Sequence, residues 1–386
     1  MDPATIEERR QAKRALREEK KRLQKQQCPD LAPQPTPFRR AWRSTSGARP
    51  INGRSITLMT YNILAQTLCQ RFIHPTAGDM LKWKTRRRMV MEEIAYYQPD
   101  LMCLQEVDNY DEFYKEALGK LGHETKRHGC LIGYQGDAWD QMEYRTIDYD
   151  NDTLCKPTQS TGNIGQVIAL AFKNQKGGVI LGNTHLYWRP PSTYERCRQG
   201  LIYRHHLMGL QQKFCQEDWV PLMVGDFNTQ PSDPFYSIVT GRPFTETHLH
   251  VLETSRRPFE DDDPDYDPSK LDRDYDPAKA CPDLIDIRHL LTHIGPTPPM
   301  QSVYSHHHDL WDHQQEGSTD FYGVGEPDYT NCAHVFKGTL DYIFIPVQAV
   351  LLDLLMLPPH HTIQPALPNQ HFGSDHVCLM AKILLP

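Results

Sequence analysis

The 386-residue sequence predicts an α/β sandwich built from mixed sheets, and three observations support this prediction. The segment Ile56 to Leu64 alternates like a half-buried strand. The segment Leu101 to Val107 is a compact apolar run that follows the break Gln98-Pro99-Asp100. Between them, apolar residues recur at helical spacing: Trp83, Val90, Met91, Ile94 and Ala95. A strand, a helix and a second strand in this order are typical of α/β folds.

Further strands are predicted downstream, and a helix from about Tyr194 to Asp218 fits between two of them. Some strands are joined by short glycine turns such as Lys176-Gly177-Gly178, whereas others are separated by helices, which is the basis for predicting mixed sheets. These strands are Gln166 to Lys173, Gly178 to Tyr187, Trp219 to Asp226, Gly338 to Ile345 and His376 to Leu385.

Composition predicts one large domain, residues 51–386, preceded by a basic tail, residues 1–50. Residues 1–54 contain 14 Lys and Arg against 6 Asp and Glu, and the charges from Glu7 to Lys25 favour a solvated helix. A Pro-rich run from Pro29 to Pro37 then ends it. Two interpretations of the tail stay open: a helical or disordered segment without a specific partner, and a nuclear address or RNA tether.

The net charge of −7 argues against nucleic-acid binding through wholesale charge neutralisation, so any polyanion must be held locally. The ten cysteines form no C-x-x-C pair and no secretory leader is recognised, which indicates an intracellular protein, cytoplasmic or nuclear, including the nucleolus. The longest apolar stretch, Val350 to Leu357, is broken by Asp353 and is too short for a bilayer. We therefore expect no membrane partner.

Two further segments have both a functional and a plain interpretation. An acidic insertion near residues 256–280 repeats Asp265-Tyr266-Asp267-Pro268 as Asp274-Tyr275-Asp276-Pro277, but it lacks the Gly and terminal Glu of an EF-hand. A solvated acidic loop is favoured over a calcium site. The histidines of Tyr304-Ser305-His306-His307-His308 are likewise assigned to an ordinary polar loop in preference to a metal cluster, because adjacent loop histidines point in different directions.

Four short motifs carry the chemistry, and each ends or follows an apolar, β-branched run. Hydrolysis of a phosphodiester needs a divalent cation, a group that positions or activates water, and hydrogen-bonding or cationic groups on the phosphate. Together the motifs contain all three, which predicts a magnesium-dependent phosphodiesterase. They are Thr60-Tyr61-Asn62, Leu104-Gln105-Glu106, Gly225-Asp226-Phe227-Asn228 and Ser374-Asp375-His376.

Glu106 is the first choice for a metal ligand, because a carboxylate at the end of an apolar run is costly to bury without a cation or hydrogen-bond donors. The plain alternative is a strand-end Glu paired with a lysine. Asn62 can orient Glu106, or bind the metal or the phosphate. Strand alternation places Asp226 and Asn228 on one side, where the pair can hold a water and a phosphate oxygen; an Asx turn is the plain alternative.

His376 needs a carboxylate partner that fixes its tautomer. An Asp inside the apolar strand Leu340-Asp341-Tyr342-Ile343 indicates a buried hydrogen-bond partner, so Asp341 is assigned to His376. Asp375 is then left for metal or water. His185 ends another strand, although a single histidine in such a place is more often structural.

From about Ile56 to the C-terminal residue, the motifs and their order resemble the endonuclease/exonuclease/phosphatase superfamily. The chain is most similar to its RNA-directed branch, which includes carbon catabolite repressor-type deadenylases, nocturnin, the Angel proteins and the fungal Ngl RNA exonucleases, the last being closest. The motif Phe336-Lys337-Gly338-Thr339-Leu340-Asp341-Tyr342-Ile343 adds to the four above. The leucine-rich repeats by which some deadenylases join a large complex are not recognised, so no such docking is expected.

The resemblance implies a four-layered αββα sandwich with the site at one end of two mixed β-sheets. Glu106 and Asn62 would hold the first Mg²⁺, whereas Asp226 and Asn228 would serve the attacking water, the phosphate and a second ion; Mn²⁺ is an alternative metal. His376, oriented by Asp341, would stabilise the pentavalent phosphate, and His185 would bond a phosphate oxygen. A terminal base would lie between Pro190 and Phe336.

The implied activity is 3′→5′ exoribonuclease cleavage that releases 5′-nucleotides from single-stranded RNA 3′ ends, in poly(A) shortening or ribosomal RNA trimming. Three alternatives stay open: a phosphatase of nucleotide cofactors, an inactive RNA-binding scaffold that acts through the basic tail, and a DNA-repair endonuclease. The first and last would use the same site, and the scaffold is disfavoured because every expected catalytic position is filled.

Overall fold

The structure, a computed structural model, describes residues 19, 34–45, 53–214, 218–259, 284–294, 297–311 and 320–386. Apart from residue 19, the solvated helix predicted in the N-terminal tail lies outside these residues, as does most of the predicted acidic insertion.

Fifteen strands are present among the described residues. In chain order they are Trp42–Ser44 (β1), Arg54–Asn62 (β2), Leu101–Gln105 (β3), His123–His128 (β4), Cys130–Gln135 (β5), Trp139–Asp148 (β6), Ile164–Phe172 (β7), Gly178–His185 (β8), Trp219–Asp226 (β9), Met300–Ser302 (β10), Asn331–Cys332 (β11), Lys337–Gly338 (β12), Asp341–Pro346 (β13), Val350–Leu355 (β14) and Leu379–Leu385 (β15).

These strands form two large mixed sheets and a small hairpin. The first sheet has the order β1-β14-β15-β2-β3-β5-β4, the second has the order β10-β13-β9-β8-β7-β6, and β11 pairs with β12. Each large sheet contains one parallel pair, β2 with β3 and β8 with β9. The helix-linked strands therefore run parallel and their neighbours antiparallel, as a mixed sheet requires.

Among the described residues, helices cover the outer faces of both sheets, and the last two short helices pack against the layer between the sheets. In chain order they are Trp83–Tyr97 (α1), Lys115–Gly119 (α2), Thr193–Lys213 (α3), Pro234–Thr240 (α4), Glu246–Thr254 (α5), Ile287–Ile294 (α6), His307–Leu310 (α7) and His360–Ile363 (α8), with short turns of 3-10 or π type at 66–68, 78–81, 110–114 and 303–306.

Both faces of each sheet are buried, which gives four layers. On β2, Ile56 and Leu58 lie in the apolar layer between the sheets, whereas Met59 and Tyr61 pack with Ile94 of α1 on the outer side. The second sheet buries its other face against α3 and the shorter helices. The predicted αββα sandwich is confirmed, and burial on both faces explains why its central strands are apolar almost throughout.

The structure corrects the sequence-based boundaries at the N-terminal side. Residues 37–45 were assigned to the tail, yet β1 pairs with β14 at the edge of the first sheet. Arg40 is 5% exposed and donates to Glu93 Oε1 at 3.3 Å. Arg40 is charged, which suggested a solvated segment. Its partners lie far away in the sequence, so no local sequence pattern indicates that it is buried.

The histidine cluster is not a loop, because it spans a 3-10 turn and α7. His307 is buried between the rings of Tyr304 and Trp311, and its Nε2 accepts the main-chain N–H of Leu357 at 3.4 Å. Burial lowers the pKa of His307 to about 3, which suits a neutral residue of the core.

The described cysteines all carry free thiols, and most are buried. None of the helices in the described part of the chain is long and apolar enough to cross a membrane.

A buried carboxyl group at Glu326 makes the stability of the fold depend on pH. Its Oε1 accepts Tyr236 Oη at 2.8 Å, and burial raises its pKa to about 7 from 4.5. Because the folded state binds this proton more tightly, the stabilisation is complete below about pH 4.5 and is lost as the pH rises through 7.

We expect the unfolding free energy of Glu326→Gln to exceed that of the unchanged protein by less than about 1 kcal/mol at pH 5 and by roughly 3 kcal/mol at pH 8. Urea unfolding at both pH values measures this difference, with the exposed Glu112→Gln as control. A Glu326→Gln advantage that is the same at both pH values would contradict the argument.

Candidate active site

Three predicted site residues stand in one row across the second sheet. In the strand register, His185 at the end of β8 is opposite Asp226 at the end of β9, and Asp226 is opposite Asp341 at the start of β13. Both parallel strands end at the same edge, so polar residues after apolar runs meet there. His185 Nε2 lies 3.6 Å from Asp226 Oδ2.

The turn after β9 fixes the Asp226 carboxylate. Gly225 has φ 150°, and a Cβ atom there would lie 2.3 Å from Thr184 O, so only glycine fits between the strands. Asp226 Oδ1 accepts the N–H of Asn228 at 3.0 Å, while Asn228 Nδ2 donates to Leu186 O at 2.9 Å. The Asx turn, which was the plain alternative for this motif, is therefore present, and it holds the Asp226 carboxylate in position.

Glu106 reaches the site from the first sheet. It follows β3 directly with φ 57°, a left-handed conformation that costs a non-glycine residue about 1–3 kcal/mol. Its Oε1 accepts Asn62 Nδ2 at 2.9 Å, and its Oε2 accepts Ala65 N–H at 2.8 Å. These bonds hold the carboxylate, and no described lysine or arginine forms an ion pair with it.

Asn62 joins the two sheets at this point. The same Nδ2 that contacts Glu106 also donates to Asp226 Oδ2 at 2.9 Å. Its Oδ1 accepts the main-chain N–H of Leu64 at 3.0 Å, which fixes the amide orientation because a main-chain N–H needs an acceptor. Asn62 here orients the carboxylates, one of the roles left open above, and its Oδ1 keeps a second lone pair, so its role as a metal ligand stays a prediction.

His376 and Asp341 form a buried pair. The Nδ1···Oδ2 distance is 2.8 Å, and both side chains are less than a tenth exposed. His376 Nε2 lies 3.7 Å from Asp226 Oδ2. Burial lowers the pKa of His376, but the carboxylates of Asp341 and Asp226 outweigh it, so this pKa lies well above its usual value. The raised pKa favours the imidazolium form, which can donate a hydrogen bond to a phosphate oxygen.

Thr330 fixes the Asp341 carboxylate from behind. Its hydroxyl donates to Asp341 Oδ2 at 2.6 Å and accepts the N–H groups of Leu340 and Asp341 at 2.9 and 3.0 Å. Thr330 begins the hairpin β11–β12, which is tied to His376 by a main-chain bridge from Asn331. The base of this hairpin and the His–Asp pair therefore form one hydrogen-bonded unit.

The loop that carries Asp375 and His376 is anchored to the first sheet. Ser374 Oγ donates to Asn62 O at 2.7 Å and accepts His376 N–H at 3.2 Å. The buried Arg86 of α1 donates to Gly373 O at 2.7 Å and to Ile63 O at 3.1 Å. These contacts hold the ends of two motifs that lie more than 300 residues apart in the chain.

The donor set fits a hard cation such as Mg²⁺. Asn62 Nδ2 donates to one oxygen of Glu106 and to one oxygen of Asp226, so the two carboxylates lie side by side. Two neighbouring carboxylates can offer oxygen ligands to the same ion. Asp375 is half-buried, and its Oδ1 lies 3.4 Å from Ser374 Oγ. A separate group, Asp226, Asp341 and His376, has ligand atoms within 4.8 Å of one another. Asp341 Oδ2 accepts two hydrogen bonds, whereas its buried Oδ1 has no partner among the described residues.

The two predicted base-contacting residues are both accessible. Pro190 is exposed after β8. Phe336 is 36% exposed at the tip of the hairpin, and its ring covers Gly338 so closely that a Cβ there would lie 2.7 Å from Cζ. The role of this pair in base binding stays a prediction.

Sequence reasoning missed several residues that support the site. Asn183, inside β8, donates to Leu104 O at 3.1 Å and to Leu131 O at 2.9 Å, and it accepts Gln105 Nε2 at 2.8 Å. A polar residue in the apolar run of β8 was the available signal, as it was for Asp341. Thr330 and Arg86 carry no comparable signal, because Thr and Arg are common in turns and on helix surfaces.

We expect Thr330→Val to lower kcat by roughly 10- to 100-fold with little change in KM, because Asp341 loses a donor and two N–H groups lose their acceptor. Thr330→Ser keeps the hydroxyl and should restore most of the rate. Steady-state kinetics of both variants decides the question. An unchanged rate in Thr330→Val would contradict the role of the hydroxyl, and an equal loss in Thr330→Ser would show that the methyl group is needed as well.

The fold and the site define a class of metal-dependent phosphohydrolases built on two facing sheets. The chain matches the Endonuclease/Exonuclease/phosphatase family over residues 59–376. It belongs to this family, and the resemblance seen in the motifs is confirmed.

Relatives and a solved structure agree with this assignment. A probable RNA exonuclease of Schizosaccharomyces pombe is 31% identical over 385 residues, which cover 85% of this chain and 76% of that protein. RNA exonuclease NGL2 of Saccharomyces cerevisiae is 35% identical over 246 residues, 56% of this chain and 48% of that protein. The crystal structure of ANGEL2, described as a 2′,3′-cyclic phosphatase, shares the fold with a TM-score of 0.67 at 23% identity, covering 90% of this chain and 99% of that one.

Proposed function

We propose that the protein is a Mg²⁺-dependent 3′→5′ exoribonuclease that releases 5′-nucleotides from single-stranded RNA. The observation that carries the proposal is the pair of carboxylates, Glu106 and Asp226, joined by Asn62 beside the buried His376–Asp341 pair. The names of the relatives support RNA as the substrate.

Asp226 suits the role of accepting a proton from the attacking water. Its two oxygens are held by Asn228 N–H and Asn62 Nδ2, which fixes the direction of the remaining lone pairs. The water oxygen bonds to the last phosphorus, and the bond from that phosphorus to the 3′ oxygen of the preceding nucleotide breaks. The released product is a 5′-nucleotide, and the shortened RNA keeps a 3′ hydroxyl.

His376 and His185 lie on either side of Asp226, where they can donate to the phosphate oxygens as negative charge grows. The bond to Asp341 leaves Nε2 as the donor that faces the substrate. Glu106 and Asp226 would hold the metal ion, which when bound neutralises charge on the phosphate. Asp375 and a second ion are further parts of the proposal.

The physiological RNA is proposed from the resemblance, either a poly(A) tail or a ribosomal RNA 3′ end. The free, mostly buried thiols support an intracellular, reducing compartment, cytoplasmic or nuclear.

Product analysis tests the proposal. RNAs labelled at the 5′ end and ending in homopolymers or ribosomal 3′ sequences are incubated with the full chain and Mg²⁺, Mn²⁺ or EDTA. We expect a ladder of products shortened from the 3′ end, 5′-nucleotides in solution and no reaction in EDTA. Intact RNA together with phosphate release from NADPH would select a nucleotide-cofactor phosphatase. RNA binding without any cleavage would select a scaffold, and cleavage of an abasic duplex would expose a repair endonuclease.

A further inference from the structure

The indole of Trp188 is 65% exposed, although the segment that carries it is fixed closely to the active site. We call residues 185–190 the platform segment; it runs from His185 to Pro190. Large apolar side chains on mobile loops are common, but here the main chain is held on both sides of the exposed ring. Trp188 is therefore exposed because the hydrogen-bonded main chain on both sides holds it in this position, and not because it lies on a mobile loop.

The first half of the platform segment is bonded to the catalytic strands. Leu186 N–H donates to Asp226 O at 3.0 Å. The carbonyl of His185 accepts Asn163 Nδ2 at 3.0 Å, and that of Leu186 accepts Asn228 Nδ2 at 2.9 Å. This half therefore cannot move without disturbing the turn that orients Asp226.

The second half is held by side chains of α3. Tyr187 N–H donates to Gln199 Oε1 at 3.0 Å, and Tyr187 itself is only 5% exposed. The buried Arg196 donates through Nη2 to Pro190 O at 2.9 Å and through Nη1 to Arg189 O. Its two nitrogens thus bind adjacent carbonyls, a geometry for which a planar guanidinium is suited.

Trp188 is not the only exposed apolar residue at this edge of the sheets. The loop after β2 exposes Phe72 at 77%, and the hairpin beside His376 exposes Val335 at 79% and Phe336 at 36%. These loops leave or enter the strands that carry Asn62, His185 and Asp341. Exposed apolar side chains on loops that adjoin the strands of a polar site are consistent with a surface that binds a ligand with both apolar faces and charges.

We propose that Trp188 stacks on a nucleobase of the RNA strand, next to the base held by Pro190 and Phe336. The inference rests on the proposed function and raises the number of RNA bases that the protein contacts from one to at least two. A chain with net charge −7 cannot rely on phosphate neutralisation for affinity, so aromatic stacking has to contribute. Every base has an apolar face, and the contact therefore favours single-stranded RNA over duplex without selecting a sequence.

The test compares Trp188→Ala and Trp188→Phe with Tyr96→Ala, a matched control that removes a 57% exposed aromatic ring from α1. The substrates are a single-stranded RNA of about 16 nucleotides and a dinucleotide, with Mg²⁺. For Trp188→Ala we expect KM to rise about tenfold for the long RNA, equivalent to 1.4 kcal/mol, with kcat retained and a similar rise for the dinucleotide, which carries both contacted bases. Trp188→Phe should keep most of the affinity, and Tyr96→Ala should match the unchanged protein.

Three results would overturn the inference. The first is a KM for the long RNA within twofold of the unchanged protein in Trp188→Ala, and the second is an equal rise in Tyr96→Ala. A loss in Trp188→Phe as large as that in Trp188→Ala would also count against stacking. If the unchanged protein shortens RNA while Trp188→Ala has a normal KM, the second base contact alone is wrong. If the unchanged protein does not shorten RNA, the proposed function fails as well.

Discussion

Glu106→Gln should lower kcat for RNA by about 10²–10³-fold or more. The Glu106 carboxylate accepts one hydrogen bond on each oxygen, from Asn62 and from Ala65. A glutamine can accept only one of them, and its NH₂ group then faces another donor. The variant therefore loses a negative charge for the metal and also an anchor for the loop after β2.

A titration of activity against Mg²⁺ concentration measures the first of these losses. We expect the midpoint to move to higher Mg²⁺ in Glu106→Gln and to stay unchanged in Glu112→Gln, an exposed glutamate six residues away. Unaltered kcat and an unaltered midpoint in Glu106→Gln would remove the basis for a metal-dependent site.

Asp341→Asn should lower kcat by roughly 10³-fold and change KM only a few-fold. An asparagine oxygen can still accept the bonds from His376 and Thr330 that now end on Oδ2. What disappears is the negative charge that raises the pKa of His376 against the effect of burial. The imidazole is then less readily cationic, so it supports less charge on the phosphate during the reaction.

The matched control is Asp140→Asn, an exposed position on β6. Steady-state kinetics and a thermal melt of both variants separate lost chemistry from lost stability. A rise in KM without a fall in kcat would assign Asp341 to substrate binding and contradict the positioning role.

Most of the central strands could be predicted from the sequence because both of their faces are buried, although β5 and β14, which are also internal, were not. Each apolar run such as Trp219–Asp226 has neighbours on every side, so its composition alone marks it. The strands β4 and β6 were missed because they lie at sheet edges and carry mostly polar side chains, among them Glu124 and Arg127 on β4 and Gln141 and Glu143 on β6. Edge strands pair through the main chain, which leaves no apolar pattern in the sequence.

For the site, residues could be predicted where a polar side chain interrupts or ends an apolar run. This signal identified Glu106, Asp226 and Asp341 and paired the last with His376. It did not reveal which atom of Asn62 faces the carboxylates, because that depends on Leu64 N–H, a contact made only in the folded turn. It also gave no sign of Thr330, whose hydroxyl matters through three bonds formed by the tertiary structure.

The short segment around Arg40 has a practical consequence for shortening the chain. A truncation at residue 51, where the composition changes, would leave the Glu93 carboxylate inside the protein with its counter-charge deleted, a loss of about 3–5 kcal/mol. It would also remove Phe38, whose N–H donates to His371 O just ahead of the catalytic loop. Any trimmed version intended for crystals or kinetics should therefore begin before Pro37.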